Sequence, residues 1–329
     1  MDPSVTARLG GPLFFGSGLD FFPFPHYLMH TMNEENFIQK LVDMFPRSPD
    51  VAVGIGDDAA VLDPGLPGGM LFLAAADQVI SRIHFTEDTS PVLAAEKLFK
   101  RNLSDIAAMG GVPTHSLVTV AMDPFDEKRL MEFHQGLSNI SNLYGVPVIG
   151  GDLSSLHSPG LTASLTIFGK VEKEKLCLRS NVAPGDILYV TGCFGNSFSS
   201  GRHLSFPPRL HEARFVAGTY TNAMIDISDG LAKDIGRLAE ASGLSVKLKA
   251  DAVPRTPGAS LEQALCDGED YELAFAVSPS LSGELEKLWP FPGVRLTRIG
   301  EFLSGPAGKI LGVSVPEDKG YDHFHGKND

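Results

Sequence analysis

The chain alternates short apolar extended runs with amphipathic stretches of helical period, and that alternation restricts it to layered α/β architectures. "MLFLAAADQVI" (70–80) reads as a buried strand run that ends at Asp77. "SPVLAAEKLFKRNLSDIAAMGG" (90–111) reads as a helix with Ser90 as N-cap, Pro91 at its first position and a Gly-Gly stop. "HSLVTVAM" (115–122) is a further strand, and "FDEKRLMEFHQGLSNISNLYG" (125–145) an amphipathic helix closed by Gly145. "VPVIGGDL" and "GLTASLTIFGKV" follow as strands, and the texture then changes over 171–186 to charged and turn-like residues. Beyond that point "DILYVTG", "LSVKLKA" and "DYELAFAV" read as strands. "SDGLAKDIGRLAEASG" reads as a helix with Leu231, Ile235, Leu238 and Ala239 on one face and Gly243 closing it. At 329 residues the chain is long for one core, so two domains are expected, 32–171 and 172–329.

Residues 1–31 are rich in Phe, Pro and Gly and match neither a signal peptide nor a helix. They are expected to be a poorly structured extension. Met32 opens "MNEENFIQKLVDMF", with Phe37, Leu41 and Phe45 at helical spacing, so the folded protein is expected to begin near Met32, the preceding segment being an extension or a misassigned start. The net charge of −13 argues against non-specific nucleic-acid or anionic-membrane binding. No apolar run is long enough to span a bilayer. Three well-separated cysteines, Cys177, Cys193 and Cys266, read as reduced thiols of a cytoplasmic protein rather than a zinc site or a disulfide frame.

The informative residues are aspartates at the ends of apolar runs. "VAVGIGDDAAVL" (51–62) sets Asp57 beside Asp58 among glycines, which is a surface turn or a site. Asn102 and Asp105 share a helix face bordering the apolar stripe, as a capped loop or a ligand pair would. Asp152 follows "VIGG", read as a strand entering a tight glycine turn. Asp226 and Asp229 bracket Ser228 in "MIDISDG", where ordinary helix caps are the plain alternative. Taken together, Asp58, Asp77, Asp105, Asp152, Asp226 and Asp229 form an oxygen-only set. Two carboxylates at about 4 Å repel by roughly 4 kcal/mol at an effective dielectric near 20. Such a set would persist only with protons or divalent cations between its members; oxygen-only donors point to a hard ion such as Mg²⁺, which also reconciles an acidic chain with a phosphorylated substrate. There is no GxxxxGK[ST] motif, no kinase-type glycine loop with an HRD segment, and no GxSxG.

At these residues the chain resembles thiamine-monophosphate kinase, of the superfamily that includes aminoimidazole-ribonucleotide synthetase and selenophosphate synthetase. "GIGDDAAVL", "DQVISRIHF", "NLSDIAAMGGVP", "VIGGD", "LRSNVAPGD", "YVTG", "IDISDGLAKDIG", "DGEDYELAF" and "GYDHF" occur in family order from about residue 51 to 324. No single motif suffices; GEDYEL and GYDHF point to this kinase among its relatives. The resemblance implies an α/β (α+β) two-domain fold like that of aminoimidazole-ribonucleotide synthetase. Its N-terminal mixed sheet would carry the metal and nucleotide site and pair in a homodimer, and an α+β C-terminal domain would follow. It implies ATP-dependent phosphorylation of thiamine monophosphate to thiamine diphosphate, by in-line transfer assisted by several Mg²⁺ ions, with no protein base. Asp58, Asp77, Asp105, Asp152, Asp226 and Asp229 match metal-binding carboxylates, and Asp57 is expected to face away. Gly151, Asp152, Arg179 and Ser228 match nucleotide-contacting positions, and His84, Glu269 and Tyr321 match positions that hold the thiamine substrate.

The chain departs from the family where Ala75 and Ala76 replace hydroxyl residues before Asp77, so that a metal there would lean on backbone carbonyls or water. Leu153 and Ser154 follow GGD in place of two threonines, and the stretch from Gly195 to Met224 is shorter than the family's. The alternatives are a superfamily relative acting on another substrate, a non-catalytic thiamine-phosphate or nucleotide binder, and a metal-dependent phosphatase. The last lacks a DxDx[TV] nucleophile motif.

Overall fold

The computed structural model describes residues 38, 41–42, 45, 48–65, 68–316 and 320–321. The expected extension 1–31, the start at Met32, Phe37, and His323 and Phe324 of the GYDHF motif lie outside the described residues.

Two six-stranded mixed sheets follow one another along the chain. The first is built from β1 (Val51–Val53), β2 (Ala60–Leu62), β3 (Met70–Ile80), β4 (Val112–Asp123), β5 (Val148–Ser155) and β6 (Gly160–Glu172), in the order β1-β2-β3-β6-β4-β5. Only β4 and β5 run parallel. Strand β6 alternates buried and half-buried residues along nearly its whole length, the signature of a sheet covered on one face. Two 18-residue helices, α1 (Pro91–Ala108) and α2 (Glu127–Tyr144), provide the cover. Leu98, Phe99, Leu103 and Ile106 of α1 meet Phe133, Leu137 and Ile140 of α2 and Leu73, Leu165 and Ile167 of the sheet. Asp126 caps α2 by accepting from the Arg129 N–H, and Gly145 ends it in the left-handed region. Helix α1 has Pro91 in its first turn as expected, but the Ser90 hydroxyl makes no capping bond.

The second sheet is built from β7 (Ile187–Thr191), β8 (Met224–Ile227), β9 (Ser245–Leu248), β10 (Glu272–Val277), β11 (Leu296–Leu303) and β12 (Ile310–Leu311), in the order β12-β9-β11-β7-β10-β8. Every residue of β7, β8 and β10 is buried because both faces are covered. This second part carries the helices α3 (Arg202–Ser205), α4 (Leu210–Val216), α5 (Leu231–Ala241), α6 (Leu261–Cys266) and α7 (Pro279–Leu288). Leu231, Ile235 and Leu238 of α5 and Leu265 of α6 pack on Leu188, Val190, Ile225 and Ala274. Val216 of α4 and Leu285 of α7 pack on Tyr189, Phe275 and Val277 of the opposite face.

Helix α1 joins the two parts. It packs on β3, β6 and α2 on one side and on α3, α4 and β8 on the other. That double contact buries even its polar residues: Lys97, Arg101, Asn102 and Ser104 are all at most 9% exposed.

Candidate active site

The functional residues are set by where α1 ends between the sheets. Asp58 lies between β1 and β2, Asp105 in the last turns of α1, and Asp226 inside β8. One carboxylate oxygen from each lies within 4.8 Å of the other two. Residues far apart in sequence thus converge, and they do so from three separate elements. Ser104, one residue before Asp105, donates to Asp226 Oδ2 at 2.7 Å, so the helix also fixes its neighbour's orientation.

The electrostatics of this trio are unfavourable as the side chains stand. Burial, then the charges of Asp77, Asp226 and Asp58, push Asp105 well above the usual carboxylate range. Burial and Asp58 do the same to Asp226, against a stabilising bond from Ser104. Like charges packed this way call for a counter-ion. The donors are oxygen only, which fits a hard divalent cation rather than zinc or copper.

Asp57 does not face away. Its Oδ2 accepts from the Arg179 backbone N–H at 3.1 Å, and its Oδ1 lies 3.7 Å from the Arg179 Nε. Burial and the neighbouring Asp58 raise it to about 6. The backbone turns at Gly56, where φ is +127°, so the two side chains are not set on opposite faces of a strand. Both aspartates therefore reach Arg179, whose guanidinium also bonds Asp58.

Asp77, Asp152 and Asp229 lie outside the 4.8 Å trio. Strand β3 continues three residues past Asp77, which therefore sits within the strand opposite Leu165. Its two oxygens accept from Arg101 Nε and Nη2 at 3.0 and 3.1 Å, and its N–H donates to Asn102 Oδ1 at 3.2 Å. Ala75 is buried and Ala76 exposed on the same strand, and their methyl side chains offer no oxygen ligand. The GGD stretch is strand rather than tight turn. Asp152 lies opposite Thr119 on β5, which is exposed along its whole length. Gly151 is explained by β4, since a Cβ there would stand 1.7 Å from the Val118 carbonyl oxygen.

The SDG turn is also held differently from a simple cap. Helix α5 starts after Gly230, and its own Asp234 reaches back to accept from the backbone N–H groups of Ser228 and Asp229, each at 3.0 Å. Burial and Asp229 raise Asp234 to about 6. Burial works to raise Asp229 too, but Arg237 at 2.8 Å and Lys233 at 3.1 Å outweigh it and hold the group below its ordinary value.

His84, Glu269 and Tyr321 are placed as follows. His84 is buried, and its Nδ1 accepts from the Ile80 N–H at 3.0 Å, which leaves the ring hydrogen on Nε2. Glu269 has φ +60° in the left-handed region, and its N–H donates to the Ser228 carbonyl at 2.7 Å. Lys97 Nζ stands 2.5 Å from Glu269 Oε2. Tyr321 is 40% exposed, and its N–H donates to the Asp229 carbonyl at 2.9 Å.

Lys97, Arg101, Asp234, Arg237 and Asp270 are absent from the sequence-based candidates, yet all bear on this cleft. For the first two a signal existed: Lys97, Arg101 and Asp105 recur every four residues on a helix face that should be apolar. Asp270 is fully buried, accepts from Ser197 and from the Gly195 N–H, and keeps Oδ2 without a partner. Burial raises it to about 7.

Residues 56–171 match the model of the AIR synthase related protein N-terminal domain, and residues 148–312 that of its C-terminal domain. The paired sheets and the carboxylate cleft thus define an AIR-synthase-related protein. The thiamine-monophosphate kinase of Rhodopirellula baltica is 37% identical over 292 residues, covering 82% of this chain and 89% of its own. That of Salmonella typhimurium is 33% identical, covering 84% and 93%. The chain belongs to the thiamine-monophosphate kinase family. In fold it superposes on AaThiL complexed with AMPPCP and TMP with a TM-score of 0.74 at 24% identity, covering 88% of this chain and 97% of the other.

Proposed function

We propose that the chain is an ATP-dependent kinase that converts thiamine monophosphate to thiamine diphosphate. The observation that carries this reading is the meeting of Asp58, Asp105 and Asp226 within 4.8 Å, in a chain whose relatives at 33–37% identity are thiamine-monophosphate kinases. A related fold was solved with an ATP analogue and TMP bound.

In this reading Asp58, Asp105 and Asp226 would hold Mg²⁺. Asp77, Asp152 and Asp229, with the backbone of Ala75 and Ala76, would be the further groups to offer it oxygen. The bound Mg²⁺ would neutralise charge developing on the transferred phosphoryl group. Arg179 and Ser228, with Gly151 and Asp152, receive the nucleotide; His84, Glu269 and Tyr321 receive the thiamine end of the acceptor. The acceptor phosphate oxygen is already ionised near neutral pH, so no side chain need take a proton from it. His84 offers Nε2–H as a donor, Glu269 offers an acceptor, and Arg179 offers a planar cation to phosphate. The Glu269 N–H bond to Ser228 links the nucleotide and acceptor sides in one turn.

The reading extends to domains 32–171 and 172–329 and to a homodimer formed through the first sheet. Strand β5 supports the latter: it is an edge strand, exposed throughout, with Val148, Ile149 and Leu153 outward. No helix among the described residues is long and apolar enough to cross a membrane, and Cys177, Cys193 and Cys266 are all free thiols. Both fit work in the reducing cytoplasm.

The test is turnover with ATP, Mg²⁺ and thiamine monophosphate, products being separated by charge. Thiamine diphosphate and ADP in equal amounts are expected. Inorganic phosphate without thiamine diphosphate would indicate a phosphatase, and tight binding without either product a non-catalytic binder.

A further inference from the structure

Lys97 is the most completely buried charge on α1, at 0% exposure, and it is placed between two residues of the acceptor subsite. Its Nζ stands 2.5 Å from Glu269 Oε2 and also donates to the His84 carbonyl oxygen. The Phe198 ring lies 5.8 Å away, closing the space around the ammonium. Glu269 is otherwise poorly constrained for a binding residue: it sits on a turn with φ +60°, and its other side-chain bond, from the Tyr271 hydroxyl, is 3.3 Å long and falls on the same Oε2. Oε1 has no protein donor among the described residues. The carboxylate is thus anchored by one oxygen and presents the other.

We propose that Lys97 is the positioning residue of the acceptor subsite, anchoring Glu269 through Oε2 so that Oε1 is held ready for an amino group of the substrate's aminopyrimidine. The inference rests on the assignment of Glu269 to the thiamine end of the acceptor made above. Lys97 acts through Glu269 and through the loop that carries His84. A neutral side chain at 97 would leave the carboxylate free to rotate on its strained turn, and substrate binding would then bear the cost of ordering it.

The charged and titratable groups that face Lys97 are Glu269, Arg101 and Asp77, the His84 backbone and ring, and His203. Burial lowers Lys97 to about 8 against the opposing pull of Glu269. The anchor is therefore charged below that pH and lost above it.

The experiment is steady-state kinetics of the full chain with K97M, E269Q and the K97M/E269Q double variant, varying thiamine monophosphate and ATP separately. K97M is expected to raise KM for thiamine monophosphate about tenfold or more while kcat and KM for ATP change less than about threefold. The double variant should be no worse than the more affected single one, because both remove the same arrangement. Additive losses, or an unchanged KM in K97M while E269Q is impaired, would overturn the proposal. An unchanged KM in E269Q would instead overturn the assignment of Glu269 itself. If K97M does not fold, the wild-type profile decides: KM for thiamine monophosphate should rise above a pH of about 8, and E269Q should lack that limb. A flat wild-type profile, or the same limb in E269Q, refutes the role.

Discussion

The Arg179 guanidinium closes on Asp58, Nη2 to Oδ1 at 2.5 Å and Nε to Oδ2 at 3.4 Å, across 121 residues of chain. Its backbone joins the same contact through Asp57, so the loop after the first sheet is pinned to the loop before β2. A triphosphate offers a guanidinium the same forked geometry with more charge. Nucleotide binding is therefore expected to draw Arg179 from Asp58 and free that carboxylate for a cation. R179M should raise KM for ATP by roughly 10- to 100-fold, the equivalent of about 1.5–3 kcal/mol for a charged hydrogen bond. R179K should recover only part of this, since an ammonium cannot make the fork. Initial-rate kinetics decide it, and an unchanged KM for ATP in R179M would remove this residue from the nucleotide site.

Asp105 carries the sharpest conflict between stability and activity. Its native carboxyl is held well above the usual range by burial and then by Asp77, Asp226 and Asp58. A raised carboxyl binds a proton in the folded state that the unfolded chain has released. Stability from this group therefore falls as pH rises above the ordinary carboxylate value, until the native group itself ionises. In EDTA, D105N should unfold about 2–4 °C above wild type near neutral pH, a gap of roughly 1 kcal/mol, and the two should converge towards pH 4. Magnesium should raise the melting temperature of wild type more than that of D105N, and D105N should lose most turnover. Scanning calorimetry with and without the ion checks the first three outcomes. A D105N protein less stable than wild type in EDTA at every pH would show that the trio is not repulsive.

How much of this could be read from the residues differs by element. The long strands β3, β4 and β6 and the helices α1, α2 and α5 were legible because each buries one periodic face or ends in a clear glycine. The short helices α3, α4 and α7 were not: α4 and α7 are buried by the opposite face of the second sheet and α3 by its contact with α1, which no local pattern encodes. In the site, Asp58, Asp105 and Asp226 were readable as carboxylates out of place, but nothing in their spacing said that these three would meet while Asp77 would pair with Arg101. The expectation that Asp57 faces away does not hold, because the chain turns at Gly56 and brings its carboxylate to the Arg179 backbone. Asp234 escaped notice because an aspartate in the first turn of a helix is ordinary; only the fold shows it reaching back to Ser228 and Asp229.

Glu272 is the buried hub behind the GED turn. It accepts from Thr191 Oγ1, from Arg202, and from Arg209 through two bonds at 2.7 Å, at 2% exposure. A carboxamide keeps the shape but leaves two arginines facing one neutral oxygen and an N–H₂. Removing one partner of a buried ion pair costs roughly 3–5 kcal/mol, because the other charge stays behind. E272Q is expected to lose about 3 kcal/mol of unfolding free energy, read from the urea midpoint at constant slope. A loss under about 0.5 kcal/mol, the size of an ordinary surface change, would mean that the arginines find water instead.

Neighbouring glycines on β5 should behave very differently when given a methyl group. At Gly151 a Cβ would stand 1.7 Å from the Val118 carbonyl oxygen and 2.7 Å from its carbon, both backbone atoms of β4. At Gly150 the nearest atom is Leu117 Cδ2 at 3.2 Å, the end of a side chain that can rotate. Backbone in a paired strand cannot yield without opening the β4–β5 ladder, whose register already shifts between Ser116 and Val118. G151A should therefore cost about 1–3 kcal/mol, the usual range for forced overpacking, whereas G150A should stay within about 0.5 kcal/mol of wild type. Both are read from denaturation midpoints of the full chain. Equal stability of G151A and wild type would mean that β5 does not lie this close to β4, and the placement of Asp152 opposite Thr119 would fall with it.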